Sequence, residues 1–222
     1  MCLGVRALTK YRRDGLLPLL TSGVRFAREA LVETYWDVRG KRTFEIADTS
    51  ATFESTASSG GDGLRYRLKT EKDALRDFVT ELQPDDVVWD VGAHIGTYTI
   101  FAANKVADGD GAVVAFEPHP PNLRQLRTNL ELNEGRPILW NVALSNERGD
   151  VKFDGDDGIT GDSSFAPAGS ENTYAVRTEK GDEIAEEEPL PTIVKIDVEG
   201  AEGLVIDGLK QTLSSRTRIV YV

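Results

Sequence analysis

The stretch "VVWDVGAHIGTYTIFAA", residues Val87–Ala103, changes its period halfway. Val87, Val88 and Trp89 form an unbroken apolar run, the mark of a strand covered on both faces of a parallel sheet. Asp90 closes the run, Gly92 and Gly96 follow, and from Thr97 the apolar positions space as in a helix. This order brings free helix N–H groups and an unobstructed backbone to the strand's carboxyl end, where ligands of open α/β sheets sit.

Downstream the alternation repeats. "GAVVAFEP" (111–118) reads as a second strand, "PNLRQLRTNLELN" (121–133) as a helix and "ILWNVALS" (138–145) as a third strand. "KIDVEG" (195–200) ends a fourth, and "RTRIVYV" (216–222) reads as a fifth. Upstream, "TFEIAD" (43–48), "ATFEST" (51–56) and "LRYRLK" (64–69) alternate, the last after the turn "SSGGDG", and predict a small antiparallel meander. A helix is expected over Lys72 to Leu82, stopped by "QPDD". From Ser22 to Trp36, Val24, Phe26, Ala27, Leu31 and Tyr35 roughly follow helical spacing. That helix reads as packed on the main domain, with weak peripheral membrane contact through a basic amphipathic face as the alternative.

Composition narrows the partners. The chain has 222 residues, 40% hydrophobic and 28% charged, enough for one well-buried domain with an appendage. Lys+Arg 26 against Asp+Glu 37 gives a net charge of -11, which opposes nucleic-acid or anionic-lipid binding through the general field of the protein. The lone Cys2 forms no internal disulfide, so a cytoplasmic location is expected, and the acidity suits a halophile. Leu16, Leu17, Leu19 and Leu20, broken by Pro18, fall short of the roughly 20 apolar residues of a membrane span. With two histidines and one cysteine no zinc site is expected, and "FDGDDGITGDSS" lacks the calcium-loop glycine and glutamate, with Ile159 and Phe165 at those places. That stretch is expected to be a mobile loop near the cleft.

The strand ends carry the chemistry. Glu117, followed by Pro118, stands where a carboxylate accepts two hydrogen bonds from the cis hydroxyls of a ribose. "NVALS" then lies beside the base, with Val142 and Ala143 as apolar contacts. Gly92 and Gly96, with Val91 and Asp90 ahead of them, lack the first glycine of the dinucleotide fingerprint. Asp90 would repel a pyrophosphate but suits the ammonium or sulfonium of an amino-acid-bearing nucleoside. S-adenosylmethionine fits these parts.

Four ordered blocks over about residues 70–222, "VVWDVGAHIGTYTI", "AFEPHPPNLRQLRTNLELN", "NVALSNERGDVKF" and "TIVKIDVEGAEGLVIDGL", make the chain resemble the FkbM-type methyltransferases. His94 departs from the more usual asparagine. The resemblance implies a Rossmann-like class I methyltransferase sheet, mostly parallel with helices on both faces, over 71–222, behind an extension over 1–70. It implies that Asp90, Gly92, Ala93 and Gly96 surround the methionine moiety, Glu117 holds the ribose, and Val142 and Ala143 flank the adenine. Asp197 and Glu199 would face the reacting methyl group; capping of the following helix explains them almost as well. The acceptor class implied is a saccharide or secondary-metabolite hydroxyl. A cofactor-binding module without turnover and, more distantly, a nicotinamide-dependent dehydrogenase are the other readings. The sheet of this class continues past its fifth strand, so the terminal strands are expected to be missing, with the meander as a candidate cover for the edge. The oligomeric state is left open.

Overall fold

The computed structural model of the chain describes residues 40–55, 61–154, 164–165 and 173–222. The expected helix over Ser22 to Trp36 and most of "FDGDDGITGDSS" lie outside the described residues. The chain divides into two compact units, Met1–Arg42 and Thr43–Val222.

Two short strands, β1 (Lys41–Ile46) and β2 (Thr49–Glu54), form a separate two-stranded sheet. Helices α1 (Gly61–Thr70) and α2 (Lys72–Glu81) follow. Then come β3 (Val87–Val91), α3 (Thr97–Val106), β4 (Ala112–Phe116), α4 (Pro120–Glu131) and β5 (Ile138–Trp140). A second sheet is built from β6 (Ala143–Ser145), β7 (Gly149–Asp154), β8 (Ser164–Phe165) and β9 (Thr173–Lys180). The short helix α5 (Gly181–Ile184) leads to β10 (Ile193–Ile196), helices α6 (Glu202–Gly208) and α7 (Lys210–Ser215), and β11 (Ile219–Tyr221).

The main sheet has the order β11-β10-β3-β4-β5, and every neighbouring pair is parallel. Its register explains the core. Side chains alternate across a strand, so Val88, Val113, Ala115 and Ile193 pack on one face with Phe78, Ile100 and Phe101. Trp89, Val91, Val114, Phe116, Val194 and Ile196 pack on the other with Ile184, Val205 and Leu209. Both faces are covered, which is why the strands read as continuous apolar runs. The open parallel sheet between helical layers is the Rossmann-like arrangement the sequence implies.

Two expectations are corrected. "LRYRLK" is not a third meander strand: it lies in α1, where Leu64 and Leu68, four residues apart, are both buried on one helical face. The apolar alternation Leu64, Tyr66, Leu68 mimics a strand because a spacing of four belongs to both periods. "ILWNVALS" is two strands. The Asn141 side-chain amide donates to the carbonyls of Glu117 (2.9 Å) and Pro118 (3.1 Å), turning the chain between β5 and β6. β5 stays in the main sheet, while β6 pairs parallel with β9 in the second.

The β1–β2 hairpin does not add to the main sheet; it docks on helices α3 and α4. Thr52 N–H donates to Asn133 Oδ1 and Glu54 N–H to Asn129 Oδ1, each at 2.9 Å, and Asn104 Nδ2 donates to the Ser50 carbonyl at 2.8 Å. Phe53 lies beneath, buried, with its ring 6.3 Å from that of Phe101. Asparagine side chains thus satisfy backbone groups along β2, while Phe53 packs the hairpin's apolar side against the helices.

Candidate functional site

The carboxyl ends of β3, β4 and β10 open into a cleft whose lining includes Gly92, Glu117, Val142, Ala143 and Asp197. Glu117, just past β4, forms its polar floor. The carboxylate is buried, and its Oε2 accepts from the backbone N–H of His94 at 2.7 Å while Oε1 accepts from that of His119 at 2.9 Å. The Asn122 amide reaches Oε1 at 3.4 Å. Burial pushes the Glu117 carboxyl up to about 7, against the opposing pull of these N–H donors and the more distant Lys195 charge. A buried acid held by backbone N–H groups and facing a cleft keeps lone pairs for ligand donors.

The neighbouring acid is arranged otherwise. Asp90 is wholly buried and does not line the cleft. Thr99 Oγ1 donates to its Oδ2 at 2.5 Å, and Lys195 Nζ stands 3.1 Å from its Oδ1. The register explains the meeting: Lys195 of β10 lies directly beside Asp90 of β3 in adjacent parallel strands, so both side chains point to the same face. The Lys195 ammonium also donates to the Gly92 carbonyl at 3.0 Å, approaches Asp197 Oδ2 at 3.6 Å and lies 5.1 Å from the centre of the Tyr98 ring. Asp90 therefore has a protein cation where a ligand cation was expected.

Gly92 lines the cleft with φ of 79°, and a Cβ there would run into the carbonyl of Asp197. Its glycine is demanded first by the close crossing of the β3 and β10 ends. Ala93 is buried and Gly96 is shut against Leu126, so neither lines the cleft. Pro118, Val142 and Ala143 do, joined by Phe116, Leu144 and Phe153 in an apolar wall. Asp197 and Glu199 stand at the opposite lip, the latter with a left-handed backbone (φ 51°). The next helix has Ala201 as its N-cap, with no side-chain cap bond, and Gly200 N–H donates to Glu202 Oε1.

Arg67, Asn122, Phe153 and Lys195 are among the lining or supporting residues that were not singled out from sequence. Lys195 left a signal, since a lysine inside the apolar run "TIVKI" must be buried and therefore paired. Arg67 left none once α1 was read as a strand. Among the described residues there is no group of three or more His, Cys, Asp or Glu that could hold a metal ion, and no helix is long and apolar enough to cross a membrane.

A Rossmann-like sheet with a buried acid facing the cleft after its second parallel strand (β4) defines the class of open α/β folds that take ligands at their strand ends. Comparison with known proteins narrows this. Residues 90–222 match the Methyltransferase FkbM domain model, and the chain belongs to the FkbM methyltransferase family. It is 33% identical over 186 residues to the hexuronic acid methyltransferase AglP of Haloferax volcanii, covering 80% of this chain and 72% of that protein. It is 39% identical over 85 residues to the 31-O-demethyl-FK506 methyltransferase FkbM of Streptomyces tacrolimicus, 38% of this chain and 32% of that one. The crystal structure of methyltransferase FkbM from Methylobacillus flagellatus KT aligns with a TM-score of 0.45 at 17% identity, over 89% of this chain and 49% of that chain.

Proposed function

We propose that this chain transfers a methyl group from S-adenosylmethionine to an oxygen of a saccharide, with a uronic-acid-containing sugar as the acceptor class. The observation that carries the cofactor half is Glu117, a buried carboxylate presented to the cleft by two backbone N–H groups. In this reading Glu117 accepts the two ribose hydroxyls, the wall of Phe116, Val142, Ala143 and Leu144 takes the adenine, and the Gly92–His94 turn borders the methionine part. The apolar wall and polar floor fit such a group. The likeness to the hexuronic acid methyltransferase over 80% of the chain supports the saccharide acceptor.

When bound, the cofactor supplies a methyl group already activated on a sulfonium, so the protein's part is positioning and proton acceptance. Asp197, half-exposed just past β10, lines the cleft, and we assign its Oδ atoms to orient the acceptor hydroxyl or take its proton. Correct placement of two reactants is worth several kcal/mol, and a positioned base adds roughly 10²- to 10⁴-fold. Glu199 lies on the same lip and is the second candidate. The acid-rich composition, 37 Asp+Glu against 26 Lys+Arg, supports a cytoplasmic, salt-rich setting for the reaction.

Calorimetry with S-adenosylmethionine and with NAD tests the cofactor, and mass spectrometry of uronic-acid and neutral oligosaccharides tests the acceptor. Binding of S-adenosylmethionine alone, with one methyl gained by the uronic sugar, is expected. Preference for NAD would refute the proposal, and binding without methylation of either sugar would leave a cofactor-binding module.

A further inference from the structure

The cleft's lining carries three carboxylates, Glu117, Asp197 and Glu199, and among the described lining residues one cationic side chain, Arg67. The other nearby cation, Lys195, is 5% exposed and committed to Asp90 and the Gly92 carbonyl, and it does not line the cleft. Arg67 comes from α1, and its guanidinium is held loosely: Nη1 is 3.4 Å from Asp197 Oδ2 and Nε is 3.5 Å from Glu71 Oε1. Charge-assisted bonds in a settled fork measure about 2.7–2.9 Å. A guanidinium has five donors, and these two long contacts leave most of that capacity for a planar anion. A carboxylate brought into a cleft with three acids needs such a cation, since a buried unpaired charge is costly.

We propose that Arg67 is the carboxylate-binding residue of this cleft, taking a ligand carboxylate in bidentate fashion beside Asp197. The inference rests on the S-adenosylmethionine reading above. Two ligands could bring that carboxylate: the methionine end of the cofactor, or a uronic-acid acceptor.

The test compares wild type with Arg67→Gln and Arg67→Lys by calorimetry. One arm titrates S-adenosylhomocysteine and 5′-methylthioadenosine, which lacks the carboxylate. The other titrates D-glucuronate and D-glucose into the S-adenosylhomocysteine complex, with thermal melting as a check of folding. Loss of about tenfold or more in S-adenosylhomocysteine affinity in Arg67→Gln, with methylthioadenosine unchanged and Arg67→Lys between, assigns Arg67 to the cofactor's carboxylate. Unchanged nucleoside affinities with glucuronate binding lost assign it to the acceptor. If Arg67→Gln does not fold, Arg67→Lys is read alone by the same comparison. Folded variants indistinguishable from wild type in both arms overturn the proposal while leaving the cofactor reading intact. A wild type that binds neither nucleoside overturns that reading and this inference with it.

Discussion

Two acids stand at neighbouring strand ends, Asp90 in β3 and Glu117 after β4, and both are buried. Asp90 faces the lysine of the adjacent strand and a threonine hydroxyl, so its charge is answered inside the protein. Glu117 is answered only by N–H dipoles nearby and opens on the cleft. One holds the crossing of β3 and β10 together; the other is available to a ligand. Residue type and position along the chain make the two look alike, and only the neighbouring strand tells them apart.

The largest effect is expected where this contrast is broken directly. Lys195→Met leaves Asp90 buried without its cation and should destabilise the protein by about 3–5 kcal/mol, read by denaturant unfolding. Adding Asp90→Asn should restore most of that. Glu117→Gln should cost clearly less, because it removes a carboxylate that burial disfavours while setting an amide NH2 against one of the two backbone N–H donors. Equal losses at Lys195 and Glu117 would erase the distinction.

Gly92 and Gly200 sharpen it further. Both have positive φ, but a Cβ at Gly92 meets the Asp197 carbonyl whereas one at Gly200 meets nothing within 4 Å. Gly200→Ala should cost only the backbone strain, on the order of 1 kcal/mol, and Gly92→Ala clearly more. Melting temperatures of the two variants decide it.

These contrasts also mark how far the sequence could be read. The β3–α3–β4–α4 run was legible because its strands are continuously apolar and its helices keep a clear period; Lys72–Glu81 and Thr97–Val106 fall where the pattern placed them. Glu117, Pro118, Val142 and Ala143 were legible as strand-end residues and do line the cleft. Asp90, Ala93 and Gly96 were legible only as part of a motif, and which of them faces a ligand depends on packing across strands far apart in sequence. Arg67 was hidden by a six-residue stretch whose apolar spacing suits two periods, and the break at Asn141 by a side-chain bond to residues 23 and 24 positions earlier.

The pH dependence follows from the raised Glu117 carboxyl. The unfolded chain loses this proton near 4.5 and the folded protein near 7, so between those values the folded state holds the extra proton. Its contribution to stability therefore falls as pH rises through that window, on the order of 1 kcal/mol per unit, and is level above it. Glu117→Gln should flatten that slope. Ribose hydroxyls prefer the ionised form, so S-adenosylhomocysteine affinity should rise about tenfold from pH 6 to pH 8. A smaller effect is expected from salt: with a net charge of -11, added KCl should raise the melting temperature by screening self-repulsion.

The central claim, that Glu117 and not Asp90 is the ligand's acid, is tested most directly by titrating S-adenosylhomocysteine into Glu117→Gln and into the charge-balanced pair Asp90→Asn with Lys195→Met. The account predicts affinity weakened about tenfold or more in the first and near wild type in the second. The reverse pattern, binding kept without the Glu117 charge and lost with the Asp90–Lys195 pair, would contradict it.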